Sequence, residues 1–326
     1  MKKSVAIIGA GLSGITVASK IKDKFEVQVF EKARGVGGRM STRKDPPFVF
    51  DHGAQFFKIK SKCFKYFLSE LFTEKIIRPW EFKLAYYEEN SLKKIKVIKN
   101  SDKFYVGVPN MDTIVKYIAK DCNVILNTKI ERIIKEKNKW FLYDQNKQSF
   151  GEYDWVILTL PAKQSLELID KNISFYPLIK KVKMMGCFSL MIGMNEPIHL
   201  DFDAALIEHN DVGWLALNDS KPCRMKKNSL LINSSYEYAS KQINYSKDTV
   251  LRHLLNQTNT LINHKLLNIN MTKIHQWRYV EAKKSPTENY FIDHTKKIAV
   301  CGDWFVNSRV EGAFLSANEL SKDILN

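Results

Sequence analysis

Apolar residues run without interruption from Val5 to Ile8, which reads as a buried strand. A helix follows from Leu12 to Ile21, and a second strand from Glu26 to Phe30 completes a strand–helix–strand opening. Phe48 to Asp51 is short and extended. Between Lys62 and Phe72 the apolar positions Phe64, Phe67, Leu68, Leu71 and Phe72 have the spacing of an amphipathic helix, and Trp80 to Val106 alternates in β fashion. Asn110 then has the character of an N-cap, with Met111, Ile114, Val115 and Ile118 on one helical face.

The stretch NVILNTKIERIIKEKNKWFLYD reads as a strand followed by a hairpin, and YDWVILTLPA as a wholly apolar strand stopped by Pro161. From Ala162 to Ile274 the pattern mixes strands (GCFSLMIGM, VGWLALN, SLLINSS) with one long helix from Lys247 to Ile262. KIAVCGDW is again a buried strand, and EGAFLSANELSKDIL an amphipathic helix that opens on an acid. Strand and helix units at both ends therefore enclose a β-rich middle. The expected fold class is α/β, a Rossmann-like dinucleotide domain from residues 1–55, 104–160 and 285–326, interrupted by a mixed β-sheet substrate domain from 56–103 and 161–284.

Composition narrows the possibilities. A chain of 326 residues, 44% hydrophobic, can bury a substantial core, and about 150 residues per domain suggests two domains. The net charge of +16 would suit a polyanion partner, but the lysines are scattered singly or in pairs, as in YPLIKKVKMM, so a solvated basic surface is the preferred reading and no nucleic-acid partner is expected. Five widely separated cysteines without a C-x-x-C imply neither a zinc site nor a disulfide framework, which fits a reducing cytoplasm; no metal is expected. The first nineteen residues imitate a signal peptide, a reading opposed by the glycine pattern inside them. No apolar run reaches the ~18 residues of a membrane span.

That glycine pattern carries the first chemistry. Gly9, Gly11 and Gly14 form G-x-G-x-x-G directly after a strand and at the start of a helix, where they permit a tight turn, close approach of a pyrophosphate and close helix packing. Glu31 closes the second strand, where an acid accepts the two hydroxyls of an adenosine ribose. Three of the chain's nine arginines, Arg34, Arg39 and Arg43, then crowd into FEKARGVGGRMSTR around the paired Gly37 and Gly38. Arg34, Gly37, Gly38, Arg39 and Thr42 resemble the R-x-G-G-R-x-x-T signature of FAD enzymes built like glutathione reductase and the amine oxidases. Arg39 would give charge-assisted hydrogen bonds to the pyrophosphate.

At DHGAQFF, Asp51 to Phe57, the likeness narrows: the chain resembles the renalase family of FAD-dependent oxidoreductases, as do VGWLALNDSKPCR, HQWRYV and AVCGDWFVNSRVEGAFLSANELS. This resemblance implies that Ser13, Arg39, Gln55 and Phe56 touch FAD, with Gln55 and Phe56 near the flavin ring. It also implies that Ile130 meets adenine through its backbone and Asp303 holds the ribityl chain. Glu311, Gly312 and Ala313 would present helix N-terminal amides to the flavin's pyrimidine edge. NSRVEGAF holds no cysteine where monoamine oxidases attach flavin, so the FAD is expected to be non-covalent. Two departures fall on the substrate side: Cys223 stands where the family has glycine, and the segment after SLLINSS lacks a tryptophan–serine pair.

The implied substrate is a 2- or 6-dihydro isomer of NAD(P), giving hydride to flavin N5, with O2 reduced to hydrogen peroxide. Amine oxidation and carbon–carbon desaturation are the alternatives within the superfamily, and a non-catalytic flavoprotein that binds polyanions is a remote one. Trp277 and Tyr279 alternate along a strand and so share a face with His275; they are either core packing or an aromatic wall over the flavin, and His275 either structural or part of that wall. Trp214 is a second pocket candidate, and Arg278, pointing away, is expected to pair with an acid.

Overall fold

The structure is a computed structural model that describes residues 2–326. Its first sheet has six strands in the order Phe291–Asp293, Ile298–Val300, Trp155–Leu158, Ser4–Ile8, Glu26–Phe30 and Val124–Ile125, all parallel except the first. Val5 and Ile7 enter one hydrophobic cluster, Ala6 and Ile8 another. A strand buried on both faces needs an unbroken apolar run, which is why Val5–Ile8 shows no alternation. The helix Leu12–Ile21 and the last helix, Val310–Leu325, cover one face together.

The second sheet has seven strands: Ile269–Ala282, Met184–Met194, Ser229–Ser234, Val212–Leu217, Ala204–Glu208, Phe82–Glu88 and Ser91–Ile98. One face packs on the helix Lys247–Leu261 through Val250, Leu254 and Leu261. A three-stranded sheet, Ile130–Tyr153, and two short strand pairs complete the fold. Among the described residues no helix is long and apolar enough to cross a membrane, and no cluster of His, Cys, Asp or Glu has metal-binding geometry.

Several local expectations need revision. The helix expected from Asn110 begins at Asp112, because the carboxylate of Asp51 takes the Met111 N–H at 3.1 Å and no side chain caps that end. The helix over Lys62–Phe72 breaks at Leu68 into Lys62–Phe67 and Ser69–Thr73. The segment Trp80–Val106 divides between sheets: its central hairpin joins the large sheet, whereas Ile77–Pro79 pairs with Tyr105–Gly107. Three short helices, Ala162–Leu168, Tyr176–Lys180 and Tyr236–Gln242, lie in the middle region, each too brief to establish a helical period in the sequence.

The strand carrying Trp277 also departs from simple alternation. Trp277 opposes Cys187 and Glu281 opposes Met185, so residues 278–280 bulge opposite Gly186. The bulge frees the Val280 carbonyl to accept from Arg39 Nη1 at 2.9 Å.

Gly14 holds the first helix against the first sheet. A Cβ there would lie 2.0 Å from the Gly9 carbonyl oxygen and 2.7 Å from Thr159 Oγ1. Gly14→Ala should therefore cost at least the ~1–3 kcal/mol of core overpacking, read as a lower urea midpoint at unchanged m-value.

Candidate active site

A cavity of about 2330 Å³ runs from the glycine loop at Gly9 and Gly11 to a wall formed by His52, His275 and Trp277. This exceeds the ~300–1,000 Å³ of an ordinary small-ligand pocket and suits an extended dinucleotide together with a second molecule. The residues expected to bind the cofactor or line the substrate pocket all line it except Gly14, which packs behind the loop; Cys223 lies outside it.

The loop end has the features of a dinucleotide cradle. Gly9 has φ 109° and Gly38 φ 54°, and a Cβ on Gly38 would sit 3.1 Å from Gly11 Cα, so both turns depend on glycine. The buried Glu31 carboxylate accepts from the Ala10 N–H and the Ala33 N–H, each at 2.8 Å. That fixes its plane while leaving lone pairs for hydroxyl groups. Arg34 lines the same end from an exposed turn, and Ile130 opens its strand there.

Further along, Arg39 Nη2 donates to Asp303 at 2.6 Å, so the two residues implied to hold different parts of FAD are bonded to each other. Burial pushes the Asp303 carboxyl above the usual carboxylate range, and Arg39 opposes the shift. Ser13 Oγ donates to the Ala313 carbonyl at 2.9 Å, tying the first helix to the last. The Glu311 carboxylate accepts from the Lys60 and Ser61 N–H groups, at 2.9 and 2.6 Å. Its side chain therefore anchors a neighbouring segment, leaving the backbone of the helix N-terminus beside Gly312 and Ala313 at the cavity.

Sequence reasoning did not single out what lies beneath Gln55. The Asp51 carboxylate is fully buried and accepts from Arg224 Nη2 at 2.6 Å, Arg224 Nε at 3.1 Å, Lys221 Nζ at 3.4 Å and Thr42 Oγ1 at 2.8 Å. Lys221, also fully buried, donates to Gln55 Oε1 at 3.2 Å, while Gln55 Nε2 donates to the Asp51 and Gly53 carbonyls. Burial, a destabilising influence on the charged amine, brings the Lys221 pKa down to about 8; burial raises the Asp51 carboxyl, but Lys221 and Arg224 outweigh it and leave the pKa lowered. The signal lay in SKPCR, whose Lys221 and Arg224 flank Cys223. That residue is exposed at φ 58°, the left-handed region that favours glycine, which accounts for the expectation of glycine there.

At the far end His52, also not singled out, lies 4.9 Å from His275 and 5.1 Å from Trp277, ring to ring, and His275 lies 4.2 Å from Trp277. Trp277 Nε1 donates to the His52 carbonyl at 2.9 Å. Burial, then nearby positive groups, lowers His52 to about 3 and His275 to about 4, so both imidazoles are neutral near pH 7. Tyr279 lines the cavity within the bulge. Trp214 lines it 5.8 Å from Phe56, its buried Nε1 without a hydrogen-bond partner among the described residues. Among the described residues the expected ion pair of Arg278 is not formed: its side chain is exposed, and the nearby Glu281 faces Arg309 at 3.9 Å.

Comparison with known proteins agrees with this geometry. The family model described as flavin containing amine oxidoreductase matches residues 91–325, and that of an NAD(P)-binding Rossmann-like domain matches residues 7–71. The chain belongs to the flavin-containing amine oxidoreductases. It is a flavin-dependent oxidoreductase and is similar to mouse renalase, 24% identical over 98% of this chain and 97% of that protein. A 4,4'-diapophytoene desaturase of Staphylococcus aureus is 46% identical over 50 residues, 15% of this chain and 10% of that protein. Among solved structures, putrescine oxidase (P15I-A394C double mutant) superposes with a TM-score of 0.75 at 12% identity, covering 100% of this chain and 99% of that one. Shared fold is what that last likeness shows.

Removing Asp51 from this oxidoreductase would leave two buried cations unmatched. Asp51→Asn should destabilise it by about 3–5 kcal/mol in denaturant unfolding at pH 7. Because the folded Asp51 pKa is depressed, the wild-type advantage should be present above the ordinary carboxylate pKa and shrink as pH falls toward the folded value.

Proposed function

We propose that the protein binds FAD non-covalently and oxidises a dihydronicotinamide dinucleotide, a 2- or 6-dihydro isomer of NAD(P), with O2 as electron acceptor. The observation that carries the reading is the wall of Trp277, His275 and His52, which joins an indole suited to stacking a planar ring with two neutral imidazoles. The near end-to-end similarity to renalase supports it. When bound, FAD supplies the hydride acceptor and the electron pair that reduces O2 to hydrogen peroxide.

The chain's own residues bind and orient. Glu31 offers its carboxylate to the adenosine ribose, and Gly11 and Gly38 let the backbone approach the pyrophosphate. The N-terminus of Val310–Leu325 favours negative charge at the opposite end of the cofactor. Gln55, held through Lys221 and two carbonyls, gives that part of the cavity a fixed floor. Removal of a hydride needs no general base, so neutral histidines are compatible with the task.

The five unpaired cysteines fit a reducing cytoplasm, where we place the enzyme. Oxidation of an amine is the second reading, supported by the shared fold with putrescine oxidase.

Anaerobic stopped-flow bleaching of the flavin band separates the two readings. Rapid reduction by 2- or 6-dihydro-NAD, with slow reduction by 4-dihydro-NAD and primary amines, is the expected outcome, and reduction by amines alone would overturn the proposed substrate. Trp277→Ala should then weaken substrate affinity by about tenfold, as loss of a stacking surface worth roughly 1–1.5 kcal/mol. Acid precipitation should leave a colourless pellet and release the yellow flavin to the supernatant, as befits a cofactor without a covalent bond.

A further inference from the structure

The wall that carries His275 and Trp277 includes a cation that hydride transfer does not use. Arg43 lies on the short strand Arg43–Asp45, whose partner Phe48–Phe50 packs both rings against Met191 and Leu231 of the second sheet. Asp45 pairs with Lys273, two residues before His275. The hairpin thus holds Arg43 against the substrate-side sheet, whereas Arg39 is committed to Asp303 and the Val280 carbonyl. The Arg43 side chain lines the cavity, and its buried Nε has no hydrogen-bond partner among the described residues. A buried donor left unmatched is costly, which favours a partner supplied from the cavity, by a ligand or an ordered water.

The surroundings favour an anion. Arg43 and Lys247 are the charged groups that act on His275, and Arg43 also acts on His52. Asp51 is the acid facing His52, but its carboxylate is consumed by Arg224, Lys221 and Thr42. Glu281, further along the strand, faces Arg309. His52, which packs beside His275 and Trp277, is 5% exposed, so water has little access to this wall. Positive charge here is left unneutralised by the protein.

We propose that Arg43 is a specificity residue whose guanidinium receives an oxyanion of the substrate, phosphoryl or carboxylate, so that the cavity accepts anionic substrates and refuses cationic amines. The proposal rests on the reading of this cavity as the site of substrate oxidation. A planar guanidinium fork suits two oxygens of one such group, and a cationic amine at the same place would meet like charge.

The test uses FAD-loaded wild type, Arg43→Gln and Arg43→Lys. Perturbation of the flavin band is titrated with ADP-ribose, inorganic pyrophosphate and malonate, and anaerobic reduction is compared for 6-dihydro-NAD and the phosphate-free 6-dihydronicotinamide riboside. Arg43→Gln should weaken anion binding by about 10- to 100-fold, with partial recovery in Arg43→Lys, and should shrink the preference for dinucleotide over riboside by a similar factor. Tighter wild-type binding of malonate than of pyrophosphate would assign the subsite to a carboxylate, and the reverse to a phosphate. Unchanged anion affinity in Arg43→Gln would overturn the proposal. So would purification of both variants without FAD, which would make Arg43 a cofactor ligand. If neither dihydronicotinamide reduces the wild-type flavin, the proposed substrate fails, yet the anion titrations still decide the role of Arg43.

Discussion

A carboxylate cut off from water must be matched by charge and hydrogen bonds, and at Asp51 the match is assembled from distant parts of the chain. Thr42 comes from the segment after the paired glycines, the Met111 N–H from the helix-opening turn, and Lys221 and Arg224 from the loop after the strand Val212–Leu217. Asp51 itself supplies a carbonyl that helps fix Gln55. The floor of the cavity therefore stands on a buried ionic cluster that ties the segment around Thr42 and Asp51 to the turn at Met111 and to the loop after Val212–Leu217. Two cations against one carboxylate also leave net positive charge beneath the site, and the Lys221 pKa near 8 is the sign of that burial.

The cavity continues the same electrostatic theme along its length. At one end the oxygens of Glu31 are already oriented by backbone amides, an arrangement suited to hydroxyl groups. Between the ends, Arg39 and Asp303 neutralise each other, and the bulge at residues 278–280 lets a strand carbonyl share the guanidinium. At the other end the imidazoles are neutral and Arg43 is unmatched.

Parts of this arrangement were legible from local sequence. The strand, glycine turn and helix occupy adjacent residues, and Glu31 follows at the end of the next strand, so one βαβ unit sets their relation. The burial of Val5–Ile8 on both faces was equally legible, because an unbroken apolar run has no polar face to expose. His52 and the Lys221–Arg224 pair were not, although each lies in a segment whose pattern drew attention. A histidine beside an aspartate and a lysine near an arginine read as residues left in water until something covers them. Their partners, Ser189 for His52 and Asp51 for the two cations, lie more than a hundred residues away in the chain.

Neighbouring residues and backbone geometry were enough to specify the dinucleotide loop, the alternation of strands and helices at the two ends, and the family to which the chain belongs. Tertiary structure decided which charges lose water and which remain unpaired. It buried Asp51 with Lys221 and Arg224, set His52 against His275 and Trp277, and left Arg43 facing the cavity. The physical reason is that desolvation belongs to the space between packed elements, and no local pattern specifies what will fill that space.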